Sequence, residues 1–124
     1  MRSVIGIFFA GALGALARYG LDGVVSRATR GSFPWGTFVV NVSGAFLLGV
    51  TFTVLAERFA LAPWIRSTLT IGFLGAYTTF STLALETFRL IQGGSYLMGL
   101  ANALGSLFIG LFALALGLAV GRAI

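Results

Sequence analysis

The chain has 124 residues, of which 58% are hydrophobic and only 9% charged, with a mean hydropathy of +1.02; that mix excludes a soluble globular domain and marks an integral membrane protein. Cysteine and histidine are both absent, which excludes disulfides, thiolate or imidazole metal sites and histidine acid–base chemistry together. All eight basic residues are arginine and give a net charge of +5 against Asp22, Glu57 and Glu86, a sign that suits an anion or an anionic membrane surface and equally suits arginines holding helix ends near lipid headgroups.

At about 20 apolar residues per crossing of a hydrocarbon core about 30 Å thick, there is room for four spans and for no soluble domain. The expected fold is therefore an all-α membrane protein forming one four-span domain over residues 1–124, in the plasma or inner membrane with lipid around it. Neither an enzyme nor a nucleic-acid partner is expected.

The first helix is predicted over 3–26. Residues 3–17 carry no charge, and Ala15-Leu16-Ala17 mimics the cleavage site of a secretory leader. Against a removable leader, apolar character resumes after Arg18, and Gly6, Ala10 and Gly14 make a small-residue face suited to close helix packing. Arg18 and Tyr19 lie toward the end of this helix, where a cation reaches interfacial water and an aromatic ring sits at headgroup level. Two readings of Arg18 are open: a membrane anchor, or a vestibule residue that attracts anions.

Residues 26–35 combine charge, Gly and Pro, which predicts a short loop with Trp35 at the interface. The second helix is predicted over 36–57. Thr37 and Asn41 lie one turn apart on one of its faces. Asn41 is either interhelical glue or a donor whose amide faces a wet pathway. Glu57 and Arg58 end the span, and Pro63-Trp64 restarts the chain as a helix N-terminus.

The third span is predicted over 63–92. Its middle, Gly72-Phe73-Leu74-Gly75-Ala76-Tyr77-Thr78-Thr79-Phe80-Ser81-Thr82, holds two glycines, a tyrosine and four hydroxyl residues where ordinary membrane helices need none. That reads as a helix broken at 75–78. In hydrocarbon, backbone leaves the helix only where it is buried in protein or lines a cavity, and there its polar groups become ion ligands. Glu86, with Arg89 three residues on, is expected to form an ion pair near the far interface. Gly93-Gly94-Ser95 is a turn, and the fourth helix is predicted over 96–121, with Asn102, Ser106 and Gly110 on one face and Gly117 and Gly121 as a G-x-x-x-G packing element. The polar face is either packing glue or one wall of a path.

Four spans put both termini on one side of the membrane. Arg2, Arg58, Arg66 and Arg122 fall on that side, and Arg27, Arg30 and Arg89 on the other, with Arg18 near it. So small a bias fixes no single orientation. The sequence also lacks an internal repeat, and a chain without one obtains inverted symmetry by pairing two oppositely inserted copies, so an antiparallel, dual-topology homodimer is expected.

A path for a small anion needs donors and no fixed negative charge. Asn41, Ser43, Ser81, Thr82, Asn102 and Ser106 are possible donors, and no acid lies in the middle of any span. Phe80 is either a core aromatic or an edge-on ring whose partial positive charge solvates an anion weakly. The alternative is a small multidrug-type, proton-coupled exporter, also a four-span dual-topology dimer, which needs a titratable acid in the membrane. Only Glu86 is a candidate, and it lies toward an end. A structural subunit without transport would leave the break unexplained.

The 72–82 stretch, with Gly11-x-x-Gly14-Ala15-x-x-Arg18-Tyr19 and Gly36-Thr37-x-x-Val40-Asn41 upstream, closely resembles the Fluc/CrcB fluoride channels of microorganisms, over almost the whole chain. The resemblance implies a fluoride-selective channel for passive export of the fluoride ion, with two pores per dimer. It also implies a structural Na+ where two broken third helices cross, held by the carbonyls of Gly75 and Thr78. The implied anion path comprises Asn41, Phe80, Ser81, Thr82, Leu83 and Ser106, with Arg18 in the vestibule. Phe80 falls on the first Phe of the family's TTFSTF motif. Leu83 stands where the second Phe is expected, and Gly110 where the family often carries a hydroxyl.

Overall fold

A computed structural model describes residues 1–124 and is entirely helical. In chain order it comprises α1 (Arg2–Ala28), α2 (Trp35–Phe52) with a widened extension Thr53–Arg58, α3 (Pro63–Ser67) followed by a second widened segment Thr68–Leu74, α4 (Gly75–Tyr77), α5 (Phe80–Gln92) and α6 (Tyr96–Ala123). In the two widened segments the ladder shifts to i→i+5 bonding. Four stretches, Arg2–Ala28, Trp35–Arg58, Pro63–Gln92 and Tyr96–Ala123, are long and apolar enough to cross a membrane. Their ends lie within two residues of the predicted ones, the scale on which helix ends fray. Of 103 backbone hydrogen bonds, 89 lie within the helices, so the main chain satisfies its own polar groups as hydrocarbon demands.

Packing follows the small residues. The most extensive helix pair is α2 on α6, and it closes because side chains are missing at the crossing: a Cβ on Gly117 would strike the Phe46 carbonyl, and one on Gly49 would come within 2.8 Å of the Leu118 nitrogen. The Gly6–Ala10–Gly14 face of α1 lies against the first half of the third span, where Gly14 meets the backbone of Phe73 and Gly6 meets Thr68. The segment is thus an integrated packing element. Because lipid tails are as apolar as leucine, association of such helices rests on close fit and not on burial of large side chains. Accordingly only Val40, Asn102 and Thr53 are large side chains under 2% exposed, while many Leu, Ile and Phe face outward.

The third span differs from the others at its middle. Thr78 (φ −82°, ψ 156°) and Thr79 (φ −147°, ψ 109°) are extended, and α5 starts afresh at Phe80. The expectation of an opening across 75–78 is corrected in position, because Gly75 is helical (φ −65°, ψ −34°) and the extended residues are 78 and 79.

Candidate functional site

The position of this irregularity has a local cause. Asn41 on α2 reaches the Thr79 peptide from the side: its Oδ1 accepts from the Thr79 N–H at 2.7 Å, and its Nδ2 donates to the Thr79 carbonyl at 3.0 Å. A peptide unit that has left the helical ladder is thereby satisfied at both ends, as a buried polar group requires. Thr79 also caps α5. Its Oγ1 accepts from the Thr82 N–H at 3.3 Å and donates to the Thr82 hydroxyl at 3.0 Å. Tyr77, buried two residues before Thr79, shares a 2.8 Å hydrogen bond with Ser43 and stacks on Phe73.

These bonds release two carbonyls. The Thr79 N–H, the ordinary i+4 partner of the Gly75 carbonyl, goes to Asn41; the Thr82 N–H, the ordinary partner of the Thr78 carbonyl, goes to Thr79 Oγ1. The Thr78 N–H and hydroxyl both turn back to the Leu74 carbonyl, at 3.1 and 3.0 Å. Gly75 and Thr78 therefore offer main-chain oxygens, hard and without formal charge, and no cluster of acidic residues competes with them. That donor chemistry fits a small monovalent cation better than Ca2+ or Mg2+, which take carboxylates or several waters.

A broad concavity of about 800 Å³ opens between α2, α5 and α6 and extends to the first half of the third span. Asn41, Gly75, Thr78, Phe80, Leu83 and Ser106 all line it, and none of its lining residues is charged. Phe80 is 83% exposed and stands out of the chain into this space. A smaller cavity of about 230 Å³ adjoins it, lined by Arg18, Tyr19, Asp22, Thr37 and Thr82 among others. Thr79 borders both. The structure thus divides the sequence-predicted residues between two cavities that share one wall, with Thr82 and Arg18 in the smaller. Ser81 borders neither; it is exposed, with its hydroxyl 3.4 Å from that of Thr79.

Other candidate donors have partners within the chain. Ser43 is engaged by Tyr77 and the Val40 carbonyl, and the fully buried Asn102 donates to the Thr87 hydroxyl at 3.0 Å, which makes it a link between α5 and α6. Ser106 is different: its hydroxyl is buried without a protein partner, on the wall of the large cavity. The expected Glu86–Arg89 ion pair is absent. Glu86 instead accepts from the Thr37 hydroxyl at 2.7 Å, across to α2, and the one ion pair in the chain is Arg122–Glu57 at 3.3 Å. The i,i+3 spacing suggested the nearer partner, but Thr37, one turn from Asn41, presents its hydroxyl to α5. Thr79 was the residue that sequence reasoning left without a role. Its signal was the pairing of an intramembrane Asn with a loosened backbone, each needing what the other supplies.

Comparison with known proteins agrees with this picture. Residues 5–118 match the family described as CrcB-like protein, Camphor Resistance (CrcB). The chain is 48% identical over 122 residues, 98% of both chains, to a protein of Nitratidesulfovibrio vulgaris named fluoride-specific ion channel FluC. It is 43% identical to a protein of that name from Geobacter sp. over 124 residues, 100% of both, and 44% identical over 124 residues to one from Thermus thermophilus, 100% of this chain and 98% of the relative. With three matches end to end, and the 72–82 stretch folded around Asn41, this multi-pass membrane chain belongs to the CrcB-like family.

Proposed function

We propose that the chain is a fluoride-selective ion channel for passive export of cytoplasmic fluoride. The observation that carries the reading is the uncharged cavity that gathers Asn41, Phe80, Leu83 and Ser106, in a chain whose full-length relatives are named fluoride-specific ion channels. A small anion moving along this wall meets donors and no carboxylate. Asn41 Nδ2 keeps one N–H beyond the one given to Thr79, the Ser106 hydroxyl is free to turn, and the Phe80 edge adds a weak positive field. Weak, successive contacts let an ion enter and leave again. Arg18 lines the smaller cavity together with Asp22, and offers a cation to an anion that enters there.

The working unit is an antiparallel homodimer with two pores. Supporting this are the balanced arginines, the openness of the large cavity along one side of the chain, and the exposure of Phe80 and Gly75 on that side. A second, inverted copy laid on this face turns an open wall into a closed path. It also brings two pairs of Gly75 and Thr78 carbonyls to one point, where a structural Na+ would be held. When bound, that cation supplies a fixed positive charge that favours anions without itself moving. The proton-coupled exporter reading is less well supported, because no acid lines the large cavity and Glu86 is bonded to Thr37 outside it.

The test is ion flux from proteoliposomes. Fluoride efflux with chloride retained, and no proton-driven ethidium uptake, is the expected result. Ethidium uptake without fluoride efflux would transfer the chain to the exporter class.

A further inference from the structure

A third cavity, of about 630 Å³, lies away from the anion path, between the α1–α2 loop, the start of α2 and the first half of α6. Its mouth is Arg30, Ser32 and Met98, the Ser32 hydroxyl resting 3.1 Å from the Met98 sulfur. From there it runs along α6 past Ala101 and Gly105 to Ile109, with Phe38 as the side wall. Ala101 to Ile109 spans about 12 Å at the helical rise of about 1.5 Å per residue. That carries the groove from the interface toward the bilayer midplane.

Three features converge on one occupant. The floor is bare: a Cβ on Gly105 would meet only the Phe38 ring, at 3.9 Å. In hydrocarbon a channel lined by small and apolar side chains loses dispersion contacts unless a flexible apolar chain fills it. At the head of the groove Arg30 is exposed and outside the chain's one ion pair, so its charge faces outward unneutralised. Next to it, Phe33, Trp35 and Phe38 form a mutually packed aromatic cluster with ring centroids 4.6 to 5.8 Å apart, the composition of the headgroup level. A cationic head above an apolar, half-bilayer groove is the shape of one phospholipid with an anionic headgroup.

We propose that this groove is a specific site for one anionic phospholipid, its acyl chain along Ala101–Gly105–Ile109 and its phosphate at Arg30. The site shares no residue with the anion cavity, so its success or failure is independent of what the chain conducts. Native mass spectrometry of the full chain, released from nanodiscs containing phosphatidylglycerol and phosphatidylcholine in equal amounts, reads it directly. Wild type should retain one phosphatidylglycerol per chain, preferred about fivefold over phosphatidylcholine, the factor that one interfacial arginine supplies. Arg30→Gln should retain a lipid but lose the preference. Gly105→Leu, whose side chain enters the groove with little hindrance from the protein, should lose both lipids. Retention unchanged in Gly105→Leu, or a preference absent from wild type or unaltered in Arg30→Gln, overturns the proposal. Loss of dimer instead of lipid in Gly105→Leu overturns it too, and makes the groove a contact with a second copy.

Discussion

Asn41 holds the Thr79 peptide by both of its polar groups, Oδ1 on the N–H at 2.7 Å and Nδ2 on the carbonyl at 3.0 Å. One side chain on α2 therefore takes the N–H that the Gly75 carbonyl would use in a continuous helix, while Thr79 Oγ1 takes the one that the Thr78 carbonyl would use.

Replacing Asn41 by Asp tests that dual role. The substitution keeps the size and the Oδ1 acceptor but sets a second carboxylate oxygen, an acceptor, against the Thr79 carbonyl. The lost bond and the unsatisfied group cost about 1–3 kcal/mol, and fluoride flux should collapse because an acceptor stands where a donor was. Size-exclusion profile, thermal unfolding and fluoride efflux measured together check this. Unchanged efflux with lowered stability would confine Asn41 to packing.

Phe80 and Leu83 line the same cavity one turn apart, and they should respond oppositely. Phe80→Leu removes a quadrupole edge, a contact of about 0.5–1.5 kcal/mol, and fluoride efflux should fall by about twofold to tenfold, that energy expressed as a rate. Leu83→Phe adds an edge and should raise efflux. A rise with Phe80→Leu, or no response to either, would remove the ring edges from the account.

Most of the architecture was legible in the sequence because hydrocarbon leaves few options. Charge-free stretches of span length placed three of the four helices, apolar character resuming after Arg18 extended the first, and the Gly117–Gly121 and Gly6–Ala10–Gly14 spacings marked faces that do pack. The irregularity in the third span was legible as composition, since Gly75, Thr78 and Thr79 are costly in a lipid-facing helix, but its position was not. Gly75 has the freedom to open and remains helical; Thr79 opens because a residue 38 positions away satisfies it. Glu86 was misread for the same reason, its partner Thr37 being distant in sequence. Contacts between spans are invisible to spacing rules that operate within one helix.

Balanced arginines on the two sides predict insertion in both orientations. Reporters active on opposite faces of the membrane, fused to the C-terminus, should both give signal in comparable amounts. Signal from one side alone would contradict the antiparallel dimer.

Gly75 tests the cation. In the single chain a Cβ at this position would meet only the Thr70 carbonyl, at 3.6 Å, an ordinary contact. Gly75→Val should therefore still insert and fold, yet dimer stability and fluoride efflux should fall together, because the added bulk stands on the exposed face where two copies would cross. Exchanging Na+ for N-methylglucamine during purification should have the same paired effect on wild type and little further effect on the variant. Full efflux from protein with no bound cation, assayed by elemental analysis, would separate conduction from the carbonyl site.

Passive movement of fluoride through this chain is tested most directly by recording from single proteins in planar bilayers. With fluoride as the permeant anion, discrete current steps are expected, with a reversal potential that follows the fluoride gradient and is indifferent to pH and chloride gradients. Silent bilayers containing correctly folded protein, or transport that follows the proton gradient, would contradict the account.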